Sequence, residues 1–150
     1  MASYLKRQWT SRGHLRLLML RFLRKIGEEE RRDLVDPLLD QVERLGLVND
    51  EQYARDKARS LHRKGSSPAL IRAKLYEKRL SKEHIDAAID ALGEGAAMEA
   101  ARAYARKRRL GAWGTKADDR EQRQKDLAKL ARRGFSYDVA LAALEGDDDF

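Results

Sequence analysis

Histidine has the side chain best suited to proton transfer or metal binding near neutral pH, and it occurs at His14, His62 and His84. The chain has no cysteine, which excludes thiolate metal ligands and Cys–His nucleophile pairs. The three histidines lie far apart in different predicted helices, and no HExxH motif is present. We therefore expect them to be surface or packing residues rather than catalytic groups or metal ligands.

An acidic run and the glycines are two further patterns that could carry chemistry. Glu28, Glu29 and Glu30 are consecutive, whereas an EF-hand loop spaces its acidic ligands, so we expect this run at the start of a helix. The glycines form neither the GxxxxGK nor the GxGxxG pattern of nucleotide-binding loops. The sequence predicts a protein that is not an enzyme, with no catalytic residue, no cofactor and no metal.

Basic residues carry the clearest functional signal. Lysine and arginine total 32 against 25 acidic residues, and the net charge of +7 favours nucleic acid, anionic lipid or an acidic protein surface as partner. The charge alternates in blocks: +7 for residues 1–25, −6 for 26–56, +7 for 57–80, −4 for 81–99, +8 for 100–133 and −5 for 134–150. Three such cycles indicate three similar units.

The candidate partner- or DNA-binding residues are cations of the second and third basic blocks. They are Arg59, Arg63, Lys64, Arg72, Lys74, Lys78, Arg79, Arg106, Lys107, Arg108, Arg109, Arg132 and Arg133. For each of them, a solvated helix face without a partner is the alternative. Trp113, in a loop between two glycines, is either a stacking contact or a loop anchor, and Tyr53 is expected in the core.

The elements that position these residues are predicted to be helices. Two prolines in 150 residues, many good helix formers and apolar residues at spacings of three and four favour an all-α fold. Helices are predicted near residues 2–9, 12–25, 33–45, 50–64, 67–79, 82–93, 96–109, 119–133 and 137–145. The N-caps expected for them are Ser11, Asp36 followed by Pro37, Asn49 or Asp50, Ser66 or Ser67, Ser81 and Ser136.

Two similar segments reveal a repeat. Residues 80–85 and 135–140 align at an offset of about 55 residues, which is typical of stacked supersecondary units. We predict tandem three-helix repeats at 1–48, 49–94 and 95–150, forming an elongated, curved array, with an abbreviated start and an acidic tail. The apolar stretch from Leu15 to Ile26 is too short and too charged to span a bilayer, and no signal peptide is visible. We expect a cytoplasmic monomer.

Several segments in this order resemble the RecX family of regulatory proteins. They are 45–55 (LGLVNDEQYAR), 63–65 (RKG), 71–75 (IRAKL), 85–89 (IDAAI) and 132–139 (RRGFSYDV). The resemblance covers roughly residues 12–145. It implies tandem three-helix repeats that bind along RecA–DNA filaments and modulate, usually inhibit, ATP hydrolysis, strand exchange and co-protease activity in DNA repair and the SOS response, and some members bind single- or double-stranded DNA directly.

Two residues depart from the pattern of that family. Arg79 stands where glycine is frequent before the third helix of the middle unit, and Asn49 stands where aspartate is common. Both departures concern the ends of helices. A DNA-binding helical module without a role at RecA is the alternative function, and a scaffold for another acidic protein is the third reading.

Overall fold

The computed structural model describes residues 10–146, and this part of the chain is entirely helical apart from turns. The predicted helix at 2–9, and Trp9 with it, lie outside the described residues. The α-helices are α1 (Arg12–Ile26), α2 (Val35–Arg44), α3 (Asp50–Arg63), α4 (Pro68–Glu77), α5 (Lys82–Asp90), α6 (Ala96–Arg108), α7 (Arg120–Arg132) and α8 (Tyr137–Leu144). Short 3₁₀ helices span Glu29–Leu34 and Gly111–Trp113. The all-α prediction is confirmed.

Side-chain caps set the starts of most helices where the sequence predicts them. The side chains of Ser11, Asn49, Ser67, Ser81 and Ser136 each accept a hydrogen bond from a backbone amide in the first turn that follows. A cap of this kind contributes about 1 kcal/mol, because it satisfies an amide that the helix leaves without a partner.

The predicted cap at Asp36 is wrong. A 3₁₀ helix begins at Glu29 and runs directly into α2, which already includes Asp36 in its first turn. The carboxylate of Asp36 instead pairs with Arg16 on α1 at 2.9 Å. Polar residues before proline are ambiguous in sequence, because they are frequent both at caps and within the first helical turn.

Helices α3–α5 and α6–α8 each enclose a core of their own. Ile71, Leu75 and Ile85 lie in the first core with small residues of α3 such as Ala54 and Ala58, which are fully buried. Alanine at these positions lets α3 approach α5 closely, and these two helices form the most extensive contact of their group. The second core contains Leu127, Leu130, Phe135 and Leu144 with the alanines of α6 and α8.

Helices α1 and α2 and the 3₁₀ helix between them form a further group at the start of the described chain. Val35 and Leu39 are its buried residues. We refer to α1–α2, α3–α5 and α6–α8 as the first, second and third helix groups. The helical-repeat prediction is confirmed, since the second and third groups have the same order of three helices.

Candidate partner-binding surface

Two of the predicted binding cations are engaged in ion pairs within the second helix group. The guanidinium of Arg59 lies 2.7 Å from the carboxylate of Asp56 on the same helix. Arg72 on α4 pairs with Asp86 on α5, which also binds the ammonium of Lys82 at 2.8 Å. Exposed pairs of this kind stabilise a fold weakly, but they cancel positive charge locally. Arg59 and Arg72 therefore present little net charge to a partner.

Eight predicted cations have side chains that form no hydrogen bond or ion pair with any residue between 10 and 146. These are Arg63, Lys64, Lys74, Lys78, Arg79, Lys107, Arg109 and Arg132. All eight lie in the last turn of a helix or directly after it. Positive charge is favourable there, because the last carbonyl groups of a helix carry partial negative charge. Six of the eight lie at the ends of α3, α4 and α7, where the helix groups meet, and Lys107 and Arg109 lie at the end of α6 within the third group.

The first junction is the contact between the start of α1 and the end of α4. The hydroxyl group of Ser11 donates a hydrogen bond to the carbonyl of Lys78. A Cβ atom on Gly13 would lie 2.7 Å from the Cβ of Arg79 and 2.8 Å from its carbonyl oxygen. Arg79 has φ +57°, a left-handed conformation that residues with side chains seldom adopt. Because Gly13 has no side chain, there is room beside it for the Cβ and the carbonyl group of Arg79.

Positive charge accumulates at the first junction. His14 lies on the first turn of α1, and the pKa of its imidazole is lowered by partial burial first and then by the charges of Lys78, Arg21 and Arg79. Every charged group that acts on His14 in this way is a cation. The charges of these three cations therefore act on the same imidazole, while the carboxylate of Asp50 accepts a hydrogen bond from the neighbouring Arg12 amide at 2.8 Å.

The second junction, between the start of α4 and the end of α7, repeats this arrangement. The amide of Ser67 donates to the carbonyl of Arg133 at 3.2 Å, as the Ser11 hydroxyl does to Lys78. Gly134 has φ +87° and takes the left-handed position that Arg79 takes at the first junction. A Cβ on Gly134 would collide with the hydroxyl of Ser67. At the first junction the glycine, Gly13, follows the serine cap of the earlier helix. At the second junction the glycine, Gly134, follows the end of the later helix.

The side chain of Tyr104 packs against residues of the second junction. The guanidinium of Arg133 lies 4.8 Å from the centre of the Tyr104 ring and donates to the carbonyl of Lys64 at 2.7 Å. Arg108 lies 5.8 Å from the same ring. A Cβ on Gly65 would lie 2.7 Å from the Cβ of Tyr104, so the backbone passes close to the aromatic side chain. Arg133 therefore helps to join the second and third helix groups, whereas Arg108 contacts a ring of its own helix.

Trp113 is a loop anchor in this structure. Its ring packs partly buried against the third core, and its Nε1 donates to the carbonyl of Ala143 at 3.3 Å. The guanidinium of Arg106 covers the ring at 4.7 Å. Tyr53 is buried, as expected of a core residue.

Gly13 and Tyr104 are junction residues that the sequence analysis missed. A signal for Gly13 was present, because Ser11 and Ser67 each cap the second helix of a predicted repeat. Residues that follow the two caps are therefore expected to make similar contacts. Tyr104 carries no such signal. Its importance depends on the distance between α6 and the end of α3, which sequence spacing does not report.

The histidines lie in separate environments. The Nε2 of His62 forms a 2.9 Å hydrogen bond with the carbonyl of Ala96, and the ring of His84 contacts the hydroxyl of Ser81. Among residues 10–146, no three His, Asp or Glu side chains are grouped as metal ligands. Over the same range, none of the helices has both the length and the apolar character required to cross a membrane.

Comparison with known proteins identifies relatives along most of the chain. Residues 49–89 match the family described as RecX, second three-helix domain. The regulatory protein RecX of Myxococcus xanthus is 40% identical over 152 residues, covering 96% of this chain and 81% of the relative. That of Shewanella oneidensis is 32% identical over 121 residues, covering 73% and 94%.

Solved structures show the same fold. The crystal structure of RecX from Lactobacillus salivarius superposes with a TM-score of 0.69 at 21% identity, covering 95% of this chain and 88% of that one. A second, described as the crystal structure of regulatory protein RecX, gives 0.67 at 24% identity, with coverage of 97% and 68%. From its identity to the Myxococcus protein over almost its whole length, the chain belongs to the RecX family of regulatory proteins.

Proposed function

We propose that this protein is a non-enzymatic regulator that binds RecA–DNA filaments and inhibits RecA ATPase, strand exchange and co-protease activity. The observation that carries the proposal is the set of free cations at the ends of successive helices in a chain of the RecX family. A nucleoprotein filament is a long anionic track, and free cations on a serial array give fast, salt-sensitive association with it.

The serial order of the helix groups supports binding along a filament. Helices α7, α4 and α1 contain 13, 10 and 15 residues and follow one another end to end through the two junctions. At 1.5 Å per residue, their combined contour is about 57 Å. This contour is the upper limit of the span of the three helices, and the second and third helix groups each add free cations along it.

The test is a titration of single-strand-dependent RecA ATPase with this protein. Inhibition at well below one copy per RecA monomer is the expected result, since one bound molecule then affects a filament rather than a single subunit. Binding to bare DNA at the same salt concentration is the control. No effect on ATP hydrolysis at any ratio, together with tight binding to bare DNA, would establish the DNA-binding module instead.

A further inference from the structure

Arg79 is an arginine in a backbone conformation that favours glycine. Its φ is +57°, and the corresponding position at the second junction is Gly134, with φ +87°. Replacing glycine by arginine there strains the backbone and also requires space, which Gly13 provides. The first junction thus differs from the second at two positions that contact each other, Arg79 and Gly13.

Among the described residues, the Arg79 side chain makes no contact that would offset this backbone strain. It is exposed and has no hydrogen bond or ion pair with any residue in the described range 10–146. Arg133 and Arg108, at the second junction, are in contrast engaged with Tyr104. Strained backbone is found where a side chain is needed in a fixed place for binding.

We propose that the first junction is a phosphate-binding site for the backbone of nucleic acid, in which Arg79, with Lys78 and Arg21, contacts phosphate oxygens. Gly13 permits this placement by accepting the Cβ and carbonyl of Arg79 against α1. The carboxylates beside the first turn of α1 are already engaged by that helix. Asp50 accepts from the Arg12 amide at 2.8 Å, and Asp40 and Glu43 pair with the Arg12 guanidinium. The proposal deepens the proposed function and rests on it only for biological context.

The repetition of free cations favours nucleic acid over an acidic protein patch. Arg63, Lys64 and Arg132 are free at the second junction, and α4 separates the two junctions by ten residues, or about 15 Å. A nucleic-acid strand carries one charge per nucleotide, every 3.4 Å along the axis in a duplex, so one strand, single or in a duplex, supplies phosphates at both junctions whatever its sequence. An acidic protein surface would have to match this spacing by design.

The experiment measures binding of the full chain to a fluorescein-labelled oligo-dT by anisotropy over a range of salt concentrations, without RecA, together with thermal unfolding. Arg79→Gly should weaken binding about tenfold at low salt and reduce the slope of log K against log salt by about 0.7. The same variant should raise Tm by about 2–4 °C, because the strain is removed. A residue with a structural role would move both readouts downward.

Two further variants make the result specific. Arg79→Lys keeps both charge and strain, so its affinity should stay within about twofold of the original and its Tm should not rise. Arg55→Gln removes one positive charge that is already paired with Glu51 on α3, and should leave affinity within about twofold.

The proposal is overturned if Arg79→Gly binds oligo-dT as the unchanged protein does, or if it loses no more affinity than Arg55→Gln. Loss of RecA–DNA filament binding with unchanged oligo-dT binding would also overturn it, because the site would then face protein. If oligo-dT binding depends on Arg79 while RecA ATPase is unaffected by the protein, the phosphate site stands and the proposed function fails.

Discussion

The carboxylate of Asp126 accepts a 2.9 Å hydrogen bond from the backbone amide of Gly111, fifteen positions earlier in the chain. Asp126 is only 3% exposed. Its other oxygen accepts from the side-chain amide of Gln122 at 2.9 Å and from the ammonium of Lys129 at 3.3 Å. One buried carboxylate therefore ties the loop before α7 to the interior face of that helix.

Asp126→Ala should destabilise the protein by about 3 kcal/mol, because it leaves the Gly111 amide without its acceptor and opens a gap in the third core. Urea unfolding followed by circular dichroism measures the loss. Asp138→Ala is the matched control, since Asp138 is an exposed acid in the first turn of α8 and should contribute about 0.5 kcal/mol. Equal losses for the two variants would refute the assignment.

Gly13→Ala should destabilise the first junction by about 1–3 kcal/mol, since the new methyl group would lie 2.7 Å from the Cβ of Arg79. Combining it with Arg79→Gly removes one of the two clashes and should recover part of the loss. A double-mutant cycle from thermal or urea unfolding measures the coupling between the positions. Strict additivity of the two substitutions would mean that they do not compete for the same space.

The lowered pKa of His14 predicts a pH dependence of stability. The folded protein favours the neutral form of this imidazole more strongly than the unfolded chain does. Between the lowered pKa of the folded protein and the ordinary pKa of 6.5, the unfolded state therefore binds more protons. The contribution of His14 to the free energy of unfolding is complete above pH 6.5, and it is lost as the pH falls through the pKa of the folded protein. His14→Gln should flatten this part of the profile in unfolding experiments at several pH values.

His14 also reports on occupancy of the first junction. When phosphate neutralises Lys78, Arg21 and Arg79, the charges that lower the histidine pKa are offset, and that pKa should move up toward its ordinary value. An NMR titration of the His14 ring protons with and without oligo-dT measures the change. An unaltered titration at saturating oligo-dT would place the DNA elsewhere on the protein.

Reversing the charge of Lys74, Lys78 and Arg79 to glutamate should weaken binding to RecA–DNA filaments at least tenfold while helicity is retained. Arg72 is left intact, because a glutamate there would face Asp86 and disturb the contact of α4 with α5. Lys57→Glu, Lys116→Glu and Arg120→Glu together give the same change in net charge and serve as control. Filament co-sedimentation measures both triple variants, and equal losses would show an effect of total charge alone.

The sequence predicted what local interactions determine. Helix starts at Ser11, Ser67 and Ser136 were correct, because a cap involves residues within one turn. The pairing of Arg72 with Asp86 was not predictable, since it joins two helices whose relative placement depends on the whole core. The boundaries of the three repeats at 48/49 and 94/95 stay a prediction.

The sequence could predict which basic residues belong to the candidate site, but not how their side chains are placed relative to one another. Basic runs in the sequence predict Lys78, Arg79, Arg132 and Arg133 as binding residues, and this stays a prediction. Which of these cations is free depends on partners distant in the chain, such as Tyr104 for Arg133. The unusual arginine at position 79 is visible in the sequence. The room that Gly13 provides for it depends on a contact between two helices distant in the chain, which the sequence does not show.

The junctions give the array a direction. At each one the end of a later helix meets the start of an earlier helix, so the path α7, α4, α1 runs from amino to carboxyl end in every segment while it goes backwards through the sequence. The dipole of each helix then points the same way along this path. The two ends of the path differ electrically, and a strand with its own 5′-to-3′ polarity meets a polar track. A strand bound along this path as proposed would therefore have one preferred orientation whatever its base sequence.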